Sequence, residues 1–126
     1  MSLPPELATA RYISLATQRR DGREVPTPVW MAPGGEAHYV FSEARVGKVK
    51  RLRANPQVRL ARCDMRGKVL SEWIAGTARV VEDPATIANA YRALHLKYGW
   101  QMWLLDLMSK LAGRFDKRVI IEIRSA

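Results

Sequence analysis

The chain has 126 residues, 48% hydrophobic and 26% charged, with a formal net charge of +9. These values exclude a disordered or collagen-like chain and predict a single domain over 1–126. They also favour an anionic partner, whether nucleic acid, a membrane surface or a polyanionic cofactor.

Cys63 is the only cysteine, which excludes an intrachain disulfide and a cysteine-based metal cluster. The first residues, Met-Ser-Leu-Pro-Pro-Glu, lack the basic-then-apolar pattern of a signal peptide, so a cytoplasmic setting is expected.

In chain order, Pro4 to Ala10 reads as a helical turn and Tyr12 to Thr17 as a strand with Ile13 and Leu15 on one face. Arg20-Asp21-Gly22 is a turn signal, so Val25 to Ala32 returns as a hairpin partner. Pro26 and Pro28, two residues apart, face the same way and cannot donate to a ladder. That side of the strand belongs at an edge or beside a ligand. After Pro33-Gly34-Gly35, Ala37 to Phe41 is a third strand. Val58 to Asp64 alternates as a fourth. Lys68 to Val81 reads as one long strand with a bulge or bend at Gly76. Asp83-Pro84 starts a helix that ends near Tyr98-Gly99. Trp100 to Ala112 is a second helix, too short and too interrupted by Asp106 and Lys110 to span a bilayer. Val119 to Ile123 is the last strand. About six strands and three helices, with hairpins early and helices late, predict a small antiparallel barrel with helices against it.

The stretch from Phe41 to Pro56 stands out. Ser42 is placed to cap a helix that Pro56 ends. Val46, Val49 and Leu52 form its apolar stripe, and Lys48, Lys50, Arg51 and Arg53 make it basic. Arg45, Arg59, Arg62 and Arg66 extend the basic run, against the single acid Asp64. Two readings remain open from these residues alone. One is a phosphate at the start of a basic helix. The other is a solvated basic surface.

No protein-based catalytic motif appears. His38, His95 and Cys63 read as packing or structural residues, so any redox chemistry would need a bound cofactor. Of the four tryptophans, Trp30 is the best placed to wall a flat aromatic ring, because the proline-marked strand leads into it. Core or dimer packing is the plainer role for Trp73, Trp100 and Trp103.

The ordered set Tyr12–Thr17, Asp21-Gly22-Arg23, Thr27-Pro28-Val29-Trp30, Gly47 to Arg53, Asn55-Pro56-Gln57-Val58 and Gly76-Thr77-Ala78-Arg79 resembles the pyridoxamine 5'-phosphate oxidase-like split barrels. More narrowly it resembles the branch that uses coenzyme F420, a deazaflavin. The resemblance implies a six-stranded Greek-key split barrel, mainly β with flanking helices. It also implies a homodimer with cofactor sites at the subunit interface. It places Gly47 and Lys48 at the cofactor phosphate, with Phe41 and Ser42 lining that site. It sets Thr27, Pro28, Val29 and Trp30 along the tricyclic ring, and Ser71 at the cofactor of the partner subunit. Lys50 and Arg51, with Arg53, suit an acidic oligoglutamate tail. Thr27-Pro28 replaces the arginine expected of the oxidase itself, so vitamin B6 oxidation is not expected.

The implied activity is hydride transfer between reduced F420 and a small conjugated or quinone-like substrate, with no metal. FMN is the alternative cofactor, and a non-catalytic cofactor carrier the alternative role. A nucleic-acid-binding module fits less well, because the basic residues gather on one helix instead of interleaving with aromatics over a sheet.

Overall fold

Alternating apolar side chains give each long strand a face to bury, and the strands assemble on that face. The computed structural model describes residues 3–35, 37–43, 47–113 and 118–125, leaving out the side chains of residues 43 and 47–49. Its strands are β1 (Tyr12–Gln18), β2 (Glu24–Val29), β3 (Met31–Pro33), β4 (His38–Glu43), β5 (Gln57–Cys63), β6 (Ile74–Val81) and β7 (Arg118–Ser125). They form one 7-stranded sheet in the order β2-β1-β5-β6-β7-β4-β3. Every pairing is antiparallel. Its helices are α1 (Pro5–Thr9), α2 (Gly47–Ala54), α3 (Pro84–Tyr98) and α4 (Trp100–Leu111).

The outermost strands, β2 and β3, are consecutive in the chain and separated only by Trp30. One run of backbone thus borders β1 with its first half and β4 with its second. That continuity bends the sheet back on itself, as the expected split barrel requires. The expected second strand becomes two at Trp30, which raises the strand count.

Ile13, Leu15, Val29, Met31, Val40, Leu60, Ile121 and Ile123 fill the inner face. Ala32, Tyr39, Val81 and Ile120 face the other way and pack against Ala90, Leu94, Tyr98 and Met102 of the helices. Pro26 and Pro28 pair with Ala16 and Ser14 of β1, and β2 has no neighbour on its far side. Their missing N–H groups therefore cost no ladder bond, as expected at an edge.

Three local expectations change. Ser42 is not a helix cap: it lies in β4 opposite Val119, because pairing with β7 extends that strand to Glu43. Of the apolar stripe on α2, Leu52 is buried, while Val46 and the Val49 side chain lie outside the described residues. Residues 68–73 do not join the long strand. The Asp64 carboxylate accepts from the backbone N–H groups of Arg66 and Lys68, both at 2.9 Å. Ser71 Oγ accepts the Arg62 N–H at 2.9 Å. These side chains take donors that a longer ladder would use, so β6 begins at Ile74.

Gly76 is not a bulge either. It sits in regular register with Val58 and Ser125, where a Cβ would lie 3.0 Å from the Arg124 carbonyl oxygen and 3.1 Å from Leu60 Cδ1. Its role is close approach of three strands.

α3 starts as its sequence predicts. Asp83 Oδ2 accepts from the Thr86 N–H at 2.9 Å and from its hydroxyl at 2.6 Å, with proline at the first position. Gly99, at φ 56°, ends α3 and lets α4 begin at the next residue.

Gly76→Ala should destabilise the domain by about 1–3 kcal/mol, because backbone on one side and a packed leucine on the other leave little room to yield. Urea denaturation checks this. A midpoint equal to that of the parent would show that the strands can separate there at no cost.

Candidate functional site

The bend at Trp30 is held by α3. Tyr98 stacks on Trp30 with ring centroids 4.4 Å apart and planes within 7°. Its hydroxyl accepts the Met31 N–H at 3.1 Å and donates to the Arg11 carbonyl at 2.8 Å. The Lys97 ammonium donates to the Met31 carbonyl. Met31 belongs to the edge strand β3, so two α3 side chains satisfy backbone groups that an edge would otherwise leave bare.

Beside this junction lies a cleft of about 390 Å³ lined by Tyr12, Pro28, Val29, Trp30, Phe41, Ser42, Met65 and Leu105. Phe41 meets Trp30 edge-on, at 6.3 Å and 85°. The Arg118 guanidinium lies over the Phe41 ring at 4.6 Å. Arg118 is itself fixed, donating to Asp106 Oδ1 and to Ser109 Oγ, both at 2.6 Å. A cation locked by α4 therefore steadies one aromatic wall of the cleft.

A second concavity, of about 760 Å³, is lined by Gln18, Arg19, Arg20, Lys50, Arg51, Arg53, Ala54 and Asn55. It joins the β1–β2 turn to the last turns of α2. Arg51 Nε donates to Thr17 Oγ1 at 2.8 Å, and Asn55 Nδ2 donates to Gln18 Oε1 at 2.9 Å. These bonds dock the helix on β1. Among the described residues no acid lines the groove, and only Arg53 reaches one, Glu82 at 3.9 Å, so its cations repel one another and a polyanion would relieve that repulsion.

The structure thus brings together Pro28, Val29, Trp30, Phe41 and Ser42 in the cleft, and Lys50 and Arg51 in the groove. Thr27 sits opposite Leu15 and does not line the cleft. Ser71 is set apart, bonded to the Arg62 N–H. The Lys48 side chain lies outside the described residues, although the backbone of Gly47 and Lys48 is in α2.

Trp73 lines neither of these two concavities; it lies under the Arg59 guanidinium, 5.0 Å from the ring centre, and Arg59 pairs with Glu24. His38 is buried, and burial together with the nearby Lys97 charge lowers its pKa. His95 bonds Asp106 at 2.8 Å. Burial pushes the Cys63 thiol up, away from reactive thiolate character. Among the described residues, no group of His, Cys, Asp and Glu could hold a metal ion.

Sequence reasoning missed Arg19 and Arg20 as groove cations, reading that segment only as a turn; the adjacent basic pair was the available signal. It also missed Tyr12, Met65 and Leu105, which nothing local in the sequence marks.

The sequence pattern of the pyridoxamine 5'-phosphate oxidase family matches residues 4–126. Among curated proteins, none matches the chain. Among the solved structures similar in fold are the following three. The heme storage protein HutZ of Vibrio cholerae has 16% identity and a TM-score of 0.70, over 100% of this chain and 92% of its own. A conserved hypothetical protein of Mycobacterium tuberculosis has 22% identity and a TM-score of 0.69, over 99% and 81%. An F420 reductase has 21% identity and a TM-score of 0.58, over 98% and 96%. At such identities the likeness shows the fold alone.

Two predictions follow from the α3 junction. Tyr98→Phe should cost about 1–3 kcal/mol, since it leaves the buried Met31 N–H without its acceptor; equal stability in urea would show that another acceptor takes over. Burial, reinforced by Arg11, lowers the Lys97 pKa from 10.5 to about 8. Between those values the unfolded chain binds the extra proton, so Lys97 adds stability as pH rises from about 8 toward 10.5. Tyr98 opposes it above pH 10, because burial raises its folded pKa to about 12. The urea midpoint of the parent should therefore rise relative to that of Lys97→Met between pH 8 and 10. A constant offset would contradict a buried ammonium.

On family match, strand order and fold together, the chain belongs to the pyridoxamine 5'-phosphate oxidase family and has its split-barrel architecture.

Proposed function

We propose that the protein is an F420 (deazaflavin)-dependent oxidoreductase that works as a homodimer. The observation that carries this reading is the pairing of an aromatic-walled cleft with a separate cationic groove at the end of α2. A flat ring system suits the cleft. FMN ends in one phosphate, which leaves most of the groove's cations unused, whereas the deazaflavin's oligoglutamate tail uses them. The F420 reductase among the similar structures supports the same choice.

In this reading the backbone of Thr27, Pro28, Val29 and Trp30 runs along the ring, with Phe41 and Ser42 at its border. Gly47 and Lys48 hold the phosphate, Lys50 and Arg51 with Arg53 hold the tail, and Ser71 serves the partner subunit's cofactor. When bound, the reduced deazaflavin supplies a hydride to a small conjugated or quinone-like substrate. In this reading the proton comes from solvent.

Absorbance and fluorescence titration with F420 and FMN tests the cofactor, and a reduction screen of quinone-like acceptors tests turnover. Arg51→Ala with Arg53→Ala should weaken binding of long-tailed F420 about tenfold and tail-less deazaflavin far less, since a partly exposed charge contact contributes about 1 kcal/mol. Lys48→Ala should weaken cofactor binding more than it slows the saturated enzyme. Micromolar FMN affinity with no F420 binding overturns the cofactor assignment. Tight binding without turnover makes the protein a carrier.

A further inference from the structure

α4 is turned inside out relative to an ordinary surface helix. Its polar residues face the body of the protein: Asp106 bonds His95 and Arg118, and Ser109 Oγ accepts from Arg118. Met102 is buried in the core, but six other large apolar residues face outward. Trp100, Trp103, Leu104, Leu107, Met108 and Leu111 are all exposed, Trp100 by 71% and Leu111 by 80%. At 100° per residue these positions fall on one continuous arc of the helix. Together they offer on the order of several hundred Å² of apolar surface, comparable to what each copy contributes to a standard stable interface. A folded monomer rarely leaves so large a contiguous patch to water.

We propose that this face of α4 is the surface on which a second copy of the chain sits, so that the two α4 helices meet across a two-fold axis at the border of the cleft. The proposal rests on the two-copy assembly stated above and is independent of which cofactor binds.

Two further observations select a second copy as the occupant. Leu105, on the same helix and next to Leu104 in sequence, lines the cleft, so the apolar arc adjoins the site. A partner on α4 would border each cleft, which agrees with sites at a subunit interface. A two-fold contact also needs a surface that complements itself, and an all-apolar arc meets that requirement without charge pairing.

A bilayer is the rival occupant, and the charge distribution argues against it. An interfacial helix presents cations along its polar side. The polar side of α4 faces Arg118 within the protein, and Lys110 is its only cation. The protein's concentrated positive charge lies instead in the groove of Arg19, Arg20, Lys50, Arg51 and Arg53.

The test is the mass of the purified full chain by sedimentation velocity and light scattering, for the parent, for Leu107→Glu and for Trp103→Glu with Leu107→Glu. The substituted side chains are solvent-facing in a single copy, so the monomer should keep its fold, which circular dichroism verifies. Leu111→Lys, at the exposed helix end, is a second probe should the glutamates disturb α4. The expected result is a dimeric parent and an association weakened about a hundredfold or more in the variants, because each symmetric contact then buries like charges. A dimer that survives all three variants overturns the proposal while leaving the two-copy reading intact. A monomeric parent at tens of micromolar overturns both. Association of that monomer with anionic phosphatidylglycerol vesicles, lost on Leu107→Glu, would assign the face to a membrane surface instead.

Discussion

The fold depends on one run of backbone serving both edges of the sheet. From Glu24 to Pro33 the chain borders β1, bends at Trp30, and then borders β4. A bend in a strand exposes backbone donors and acceptors, and an edge has no neighbouring strand to satisfy them. α3 solves both problems with adjacent residues. The Tyr98 ring supports Trp30 while its hydroxyl takes the Met31 N–H, and Lys97 reaches the Met31 carbonyl. Drawing Lys97 partly out of water lowers its pKa, so holding the bend carries an electrostatic cost.

The same bend builds the cleft. Trp30 projects where the ladder breaks, and Pro28 leaves that side of β2 without a donor. Phe41 and Ser42 arrive on β4, and Leu105 on α4. Pro28 thus acts twice, first as a tolerable edge residue and then as backbone beside the cleft that presents no donor. The electrostatic part of the site is separate. It comes from the far end of α2 and the β1–β2 turn, held together by Arg51 on Thr17 and Asn55 on Gln18. An apolar, aromatic cleft and a cationic groove are different solvents for a ligand. A molecule with a flat ring at one end and a string of carboxylates at the other would use both.

Much of the fold was legible in the sequence. Asp83-Pro84 and Gly99 marked α3, since capping and positive φ are local properties of those residues. Ile13 and Leu15 gave the inward face of β1, and Pro26 with Pro28 gave the edge. Where the local reading failed, a distant partner had intervened. Ser42 has the chemistry of a cap, but pairing with Val119 more than seventy residues later keeps it in a strand. Gly76 looked like a bulge, and the approach of Arg124 and Leu60 gives it a different purpose. Asp64 and Ser71 shortened β6 by capturing backbone donors. In the site, the family resemblance pointed to Pro28, Val29, Trp30, Phe41 and Ser42, which gather in one cleft. It did not point to Arg19, Arg20, Met65 or Leu105.

The sequence by itself determined the inward face of β1, the caps of α3, the edge character of β2 and the basic character of α2. Each follows from residues within a few positions of one another. Only the tertiary structure decided that Arg19 and Arg20 face the same groove as Lys50 and Arg51, that Tyr98 lies flat on Trp30, and that α4 turns its apolar side outward. The amphipathic pattern of α4 specifies two faces and leaves open which one meets the protein. The buried Arg118 made that choice: it needed Asp106 and Ser109, and so drew the polar side inward.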